Sequence, residues 1–144
     1  MAMNPVNAYR QTRVKTASQG KIIVMLYDEA IRQIDIAKQA IDNDTRQYDQ
    51  VNNAIGKAQD IITELMVSLD FEKGGDFAQS LFNLYMFFNN QLMEANLQKD
   101  AQPLQKVRGF LAELREAWQQ AAEKTGNDGG GSGASGQGGI NIAG

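Results

Sequence analysis

The side chains best suited to acid–base chemistry are carboxylates, which occur in adjacent pairs such as Asp28-Glu29. Neighbouring residues on a helix point in different directions, so such a pair cannot act as general acid and base on one substrate. The glycines of Lys73-Gly74-Gly75 lack the spacing of a phosphate-binding loop, and they predict a turn instead. These patterns predict a protein that is not an enzyme.

The chain has neither cysteine nor histidine. This excludes disulfides, thiol nucleophiles, thiolate or imidazole metal sites, and every Ser-His or Cys-His catalytic arrangement. A hydrolase or lyase working without either residue type is the disfavoured enzyme alternative. We therefore predict no metal and no cofactor. The absence of cysteine also fits a reducing compartment.

Charge and hydropathy limit the partners. The chain has 14 basic and 17 acidic residues, a net charge of −3, which is too mild to indicate a nucleic-acid binder. No apolar run approaches the ~20 residues that span a bilayer, and the first residues, MAMNPVNAYR, lack the apolar stretch of a secretory signal. We expect a cytoplasmic protein without stable membrane insertion. Arg10, Arg13 and Lys15 precede the first acid, so the N-terminal arm either contacts an acidic partner or surface or is simply solvated.

Apolar residues recur at helical spacing in four long segments. The predicted helices cover residues 19–42, 44–69 and 76–98, and a fourth begins at a cap on Asp100 or Gln102. Short connections favour antiparallel neighbours, so the fold class is an all-α antiparallel four-helix bundle. We divide the chain into an N-terminal helical arm (1–18), the bundle (19–124) and a Gly-rich, disordered tail (125–144).

The core-facing residues of three helices follow from this spacing. For the first they are Ile23, Leu26 or Tyr27, Ala30, Ile34, Ala37 and Ile41. A strict heptad marks the second, with Tyr48, Val51, Ile55, Ala58, Ile62, Leu65 and Leu69. For the fourth they are Leu104, Val107, Leu111, Leu114 and Trp118.

The third helix carries more apolar surface than a bundle requires. Its predicted core stripe is Phe77, Leu81, Leu84 or Tyr85, Phe88, Leu92 and Ala95, and its second stripe is Phe82, Met86, Met93 and Leu97. A helix that is apolar nearly all round is buried or engaged by a partner. Two interpretations remain open and are compatible: the N-terminal arm covers the second stripe, or a partner helix does. Methionine suits a surface that adapts to several side chains.

Several phrases, in order and at matching spacing, resemble the FliS family of flagellar secretion chaperones. The resemblance extends from about Val6 to Trp118. Its phrases are Asn7-Ala8-Tyr9, Val14-Lys15-Thr16-Ala17-Ser18, Ile22-Ile23-Val24-Met25-Leu26-Tyr27-Asp28, Lys57-Ala58-Gln59-Asp60-Ile61-Ile62, Ser68-Leu69-Asp70, Gly74-Gly75, Leu84-Tyr85, Ala95-Asn96 and Leu114-Arg115-Glu116-Ala117-Trp118.

The resemblance implies a cytosolic chaperone that binds the disordered C-terminal part of flagellin as helices in apolar surface grooves. Binding would prevent premature polymerisation and aid delivery to the flagellar export apparatus, with export-gate components as possible further partners. It also implies that an apolar residue and a tyrosine of the arm contribute. The predicted flagellin-binding residues are Val6, Tyr9, Met66, Phe82, Met86, Met93 and Leu97. The alternative from another class is a structural bundle that self-associates through the third helix.

Overall fold

A computed structural model of the chain describes residues 19–43 and 48–127, with side chains described as far as Lys124. This part is all-helical and contains no strand. The predicted arm with Val6 and Tyr9, residues 44–47 at the predicted start of the second helix, and residues 128–144 lie outside the described residues. The helices are α1 (Gln19–Asp42), α2 (Tyr48–Val67), α3 (Phe71–Gln98) and α4 (Ala101–Asn127).

The four helices form an antiparallel bundle in which α1 and α3 face each other across the core. Each of these two packs beside α2 and beside α4. Bidentate bonds of Arg108 to Asp35 and of Arg115 to Asp28 show that α1 and α4 run in opposite directions. On the other side, Lys99 reaches Asn52 of α2 at 2.8 Å. The predicted all-α fold is confirmed.

The core is apolar except for one polar contact along its diagonal. The fully buried hydroxyls of Tyr27 on α1 and Tyr85 on α3 lie 2.5 Å apart and share a hydrogen bond. A buried hydroxyl without a partner is costly, and this bond provides each tyrosine with one, while Trp118 is a further hydrogen-bond partner of Tyr27. Around them pack Ile34, Ile55, Ile62, Leu65, Phe88, Leu92, Leu104, Val107 and Leu111.

The ends of α3 and α4 differ from the predicted boundaries. The α3 helix starts at Phe71 rather than residue 76 because the Asp70 side chain accepts from the backbone N–H groups of Glu72 and Lys73, forming a capped first turn. Only Gly75 leaves helical geometry, with φ of 54° and ψ of −129°. The C-terminal end of α4 also differs from the prediction, since the helix continues to Asn127, three residues into the segment predicted as tail.

Two residues predicted to face the core are exposed. Tyr48 is 55% exposed, and Phe77 is 48% exposed while its neighbour Ala78 is fully buried. A straight α-helix drifts about 20° per heptad relative to a seven-residue repeat, so Tyr48, three heptads before Leu69, has rotated out of the stripe. Tyr48 instead lies beneath the amine of Lys99, 5.5 Å from the ring centroid. At two positions the sequence left a choice between neighbouring residues. The structure fully buries Tyr27 rather than Leu26, and Tyr85 rather than Leu84.

Candidate functional site

The second apolar stripe of α3 lies largely in solvent, on the flank nearest α2. Met86 is 46% exposed, Met93 49% and Leu97 75%, whereas Phe82 is partly buried against the core. Asn89 reaches α2 from the same flank, and Met86 and Met93 lie three residues before it and four after it, so all three share one helical face. We call the surface formed by Met66, Phe71, Phe82, Met86 and Met93 the α2–α3 face.

The part of the α2–α3 face nearest the start of α3 is built around an aromatic pair. Phe71 comes from the capped first turn of α3, and its ring meets that of Phe82 edge-on with centroids 5.9 Å apart. Met66, near the end of the antiparallel α2, is partly buried and packs against the core. An edge-to-face pair and a flexible thioether give this region an apolar surface that can adapt its shape.

A polar cluster divides the α2–α3 face at its centre. The Asn89 amide donates to the Thr63 hydroxyl at 3.3 Å, and Gln59 donates to the backbone carbonyl of Asn89 at 3.3 Å. The side-chain oxygen of Asn89 is buried and has no hydrogen-bond partner within the described part of the chain. Hydrogen bonds from α2 therefore hold the middle of α3 where the apolar stripe is interrupted.

The opposite flank of α3, toward α4, carries an aromatic group that the sequence analysis did not identify. Phe110 of α4 lies 5.8 Å from the ring of Phe88 and 6.4 Å from that of Phe87, measured between centroids. Phe87 and Phe110 both remain more than one-third exposed. The available signal was Phe110 itself, a large aromatic residue off the core stripe of its helix. Apolar surface thus lies on both flanks of α3.

The charged groups lie mainly on other parts of the bundle. Asp28 accepts from Arg115 at 2.7 Å, whereas Glu29 binds Arg32, whose hydrogen bond holds the pKa of Glu29 below its ordinary value. The two adjacent carboxylates thus serve different partners, as predicted. A cleft of about 450 Å³ between α1 and α2 contains no carboxylate; its lining is Arg32, Gln33, Ile36, Gln50, Asn53, Ala54 and Lys57.

No acidic cluster in residues 19–43 and 48–127 has the three or more carboxylates needed to suggest a metal site. Among the described helices, none combines the length and apolar character that a bilayer crossing needs. Asn96 lies near the α3–α4 turn, where its carbonyl and side-chain oxygens accept from the Lys99 amine. What the described residues offer is therefore an apolar surface with one polar centre.

Of the predicted binding residues, the structure describes five. Met66, Phe82, Met86 and Met93 come together on the α2–α3 face, and Leu97 continues it beyond Met93 as the most exposed member. Their role in binding stays a prediction.

Comparison with known proteins gives this surface a family context. The family profile described as "Flagellar protein FliS" matches residues 2–125. The chain belongs to the FliS family. It is therefore a member of a family of flagellar secretion chaperones, which is not an enzyme family.

Three relatives, each named flagellar secretion chaperone FliS, cover most of the chain. The protein of Bacillus subtilis (strain 168) is 35% identical over 130 residues, covering 90% of this chain and 95% of that protein. The Salmonella typhimurium protein is 36% identical over 126 residues, covering 83% and 90%. The Vibrio cholerae protein is 35% identical over 119 residues, covering 80% and 86%. The resemblance seen in the sequence phrases is confirmed.

Proposed function

We propose that the chain is a cytosolic export chaperone for flagellin, binding its disordered C-terminal segment as helices on the apolar flanks of α3. The observation that carries the proposal is the row of exposed apolar side chains on the α2–α3 face, extended by Leu97. Exposed apolar surface that the bundle does not bury is typical of an interaction site. In a family of secretion chaperones, the natural occupant is the exported subunit.

The geometry suits helix-in-groove recognition, in which a partner helix lays its apolar residues between two helices of the receptor. The α2–α3 face runs along such a groove, with Met86 and Met93 exposed at intervals of two turns. The aromatic group of Phe87 and Phe110 offers a second apolar surface for a segment that continues around α3.

Binding requires no covalent chemistry. A chaperone that binds the sticky segment of its client lowers the concentration of free segment by mass action, which delays polymerisation. Ordering a disordered segment costs about 2–5 kcal/mol or more, so a long apolar contact is needed to offset it. We propose that the loaded complex is then delivered to the export gate of the flagellar secretion apparatus, whose components are further candidate partners.

Isothermal titration of the full chain with a peptide from the flagellin C-terminal segment tests this proposal. We expect a 1:1 complex with a Kd of about 1 μM or tighter and a negative heat-capacity change, the mark of apolar burial. A scrambled peptide of the same composition is the control.

Absence of binding would refute the flagellin proposal. The alternative, a bundle that self-associates through α3, predicts instead that the free chain forms concentration-dependent dimers in size-exclusion chromatography with light scattering. In that case, Met86→Glu would abolish the dimers.

A further inference from the structure

We propose that Asn89 and Thr63 form a polar subsite at the centre of the α2–α3 face that recognises a carboxamide side chain, Asn or Gln, of the bound segment. The inference rests on the proposed function, because it assigns a specificity-determining residue within the same surface. It concerns which segment binds, whereas the apolar residues around it supply most of the contact area.

The side chain of Asn89 is costly within the described bundle. Its side-chain oxygen is buried without a hydrogen-bond partner in the described part of the chain, and its amide makes one long bond of 3.3 Å to an exposed hydroxyl. An unpaired buried acceptor costs about 1–3 kcal/mol. Replacement by an apolar side chain of similar shape would remove that cost and join Met86 to Met93 in one continuous stripe. The stability of the bundle therefore does not account for an asparagine at this position.

The hydrogen-bonding capacity of the cluster specifies the chemistry of its partner. The Asn89 amide donates one N–H to Thr63 and retains a second, and the Thr63 hydroxyl, which accepts that bond, retains its own hydrogen for donation. Among the described residues, the Asn89 oxygen is an acceptor without a donor. A rotation of the carboxamide toward the groove presents this oxygen beside the amide. A partner must then both donate and accept within one short planar group.

A carboxamide meets this requirement, since it carries two N–H donors and one acceptor in a single plane. A carboxylate only accepts and an ammonium only donates. Either would also have to give up its hydration between Met86 and Met93, which is costly for a charge. The uncharged Thr63, Asn89 and Gln59 supply no opposite charge in return.

The spacing along α3 fixes where the carboxamide must stand in the partner. Met86 and Met93 are seven residues apart, or about 10 Å along the helix axis at 1.5 Å per residue, with Asn89 between them. A helix packed along this flank contacts both methionines with apolar residues seven apart. The subsite then falls opposite the residue three or four positions after the first. The inferred signature in the partner segment has an apolar residue at position i and another at i+7. Between them, position i+3 or i+4 holds Asn or Gln.

A double-mutant cycle tests the subsite. The protein variants are Asn89→Leu and the control Gln120→Leu, which makes the same carboxamide-to-leucine change at an exposed position of α4, away from the α2–α3 face. The probes are the flagellin C-terminal peptide and versions in which each Asn or Gln with this spacing is replaced singly by Leu or Met. We expect Asn89→Leu and one peptide substitution each to weaken binding about 5–50-fold, from the loss of paired polar groups. The Asn89→Leu variant should bind the substituted peptide only slightly more weakly than either single change binds its partner.

Thermal unfolding of the free variants provides a readout that a merely structural role would not reproduce. Asn89→Leu should unfold at the same or a higher temperature than the unaltered chain while binding more weakly, so stability and affinity move in opposite directions.

Equal affinity for the Asn89→Leu and Gln120→Leu variants would overturn the subsite, as would fully additive losses in the cycle. If Met86→Glu still abolished binding in that case, the apolar surface would remain a flagellin site without a carboxamide-reading centre. Failure of the unaltered chain to bind the peptide would instead overturn the proposed function, and the subsite with it.

Discussion

Replacing Met86 by glutamate is the sharpest single test of the α2–α3 face. Met86 is 46% exposed in the free protein, so a partner can still remove about half of its side chain from water. Complete burial of a methionine side chain contributes about 1.5–3 kcal/mol, and covering the remaining half therefore contributes roughly 0.7–1.4 kcal/mol. Losing that contact alone weakens binding about three- to tenfold.

The carboxylate adds a second penalty to Met86→Glu because it must be desolvated against an apolar partner helix. We therefore expect the Kd for the flagellin peptide to rise more than tenfold. In the free protein the same carboxylate lies in water, and exposed substitutions usually change stability by less than about 0.5 kcal/mol. The melting temperature should then fall by no more than about 2–4 °C.

Titration calorimetry and thermal unfolding of the same preparations measure both quantities. Gln120→Glu is the matched control, since it adds the same charge at an exposed position of α4, away from the α2–α3 face, and it should leave the Kd unchanged. A Met86→Glu variant that no longer folds would show that Met86 belongs to the core. A variant that binds as tightly as the control would remove the α2–α3 face from the mechanism.

Four further predictions concern the core and the two ends of the chain. Tyr27→Phe should lower the free energy of unfolding by about 1–3 kcal/mol, because the Tyr85 hydroxyl loses its partner. Tyr85→Phe should cost less, because the Tyr27 hydroxyl also has a hydrogen bond with Trp118, and the double variant should lose less than the sum of the two; additive losses in urea titrations would refute the hydroxyl pair. Burial raises the pKa of Tyr85 to about 12. Burial and the neighbouring Tyr85 together raise the pKa of Tyr27 further still. Tyrosine in the unfolded chain titrates near 10. The unfolded chain then releases protons that the folded chain retains, so stability should be complete below about pH 10 and fall as the pH rises toward 12; a urea midpoint that stays constant from pH 9 to 11 would contradict this. Truncation after Asn127 should leave folding and flagellin affinity unchanged, since the Gly-rich segment has little apolar surface to contribute; a more than tenfold loss of affinity in calorimetry would show that the segment makes contacts. For the N-terminal arm we predict that it shields part of the groove and rearranges on binding, so hydrogen exchange over residues 4–14 should change when the peptide is added; unchanged exchange, together with full affinity of a Val6→Ala/Tyr9→Ala variant, would exclude the arm.

The helical periodicity predicted the bundle because burial of one apolar stripe per helix dominates its energetics. The bounds of α1, residues 19–42, were predicted to the residue. The prediction that Phe77 faces the core was wrong, because periodicity does not distinguish a large apolar residue at the edge of a stripe from a small one at its centre. Ala78 is buried in its place. The predicted start of α3 at residue 76 was wrong, because glycine pairs usually mark turns. Here the Asp70 cap supports a helical turn before Gly75.

The candidate site was only partly accessible from the sequence. A second stripe can be counted along one helix, which is why Met86 and Met93 could be predicted as surface residues. The contact between Phe87 and Phe110 depends on how α3 and α4 are rotated about their axes, and single-helix patterns do not contain that information. The unpaired oxygen of Asn89 likewise depends on which atoms of α2 come within reach.

The hydroxyl pair between Tyr27 and Tyr85 has a consequence for how freely the surface of α3 can change. Apolar helices can slide past one another by a turn, about 5.4 Å, and still bury similar area. Such a slide would break the hydrogen bond between the two hydroxyls inside the core, so the pair fixes α3 lengthwise against α1. The exterior of α3 can therefore differ in sequence while the helix keeps its register; under the proposed function, the residues that contact a client would change without any change in the core.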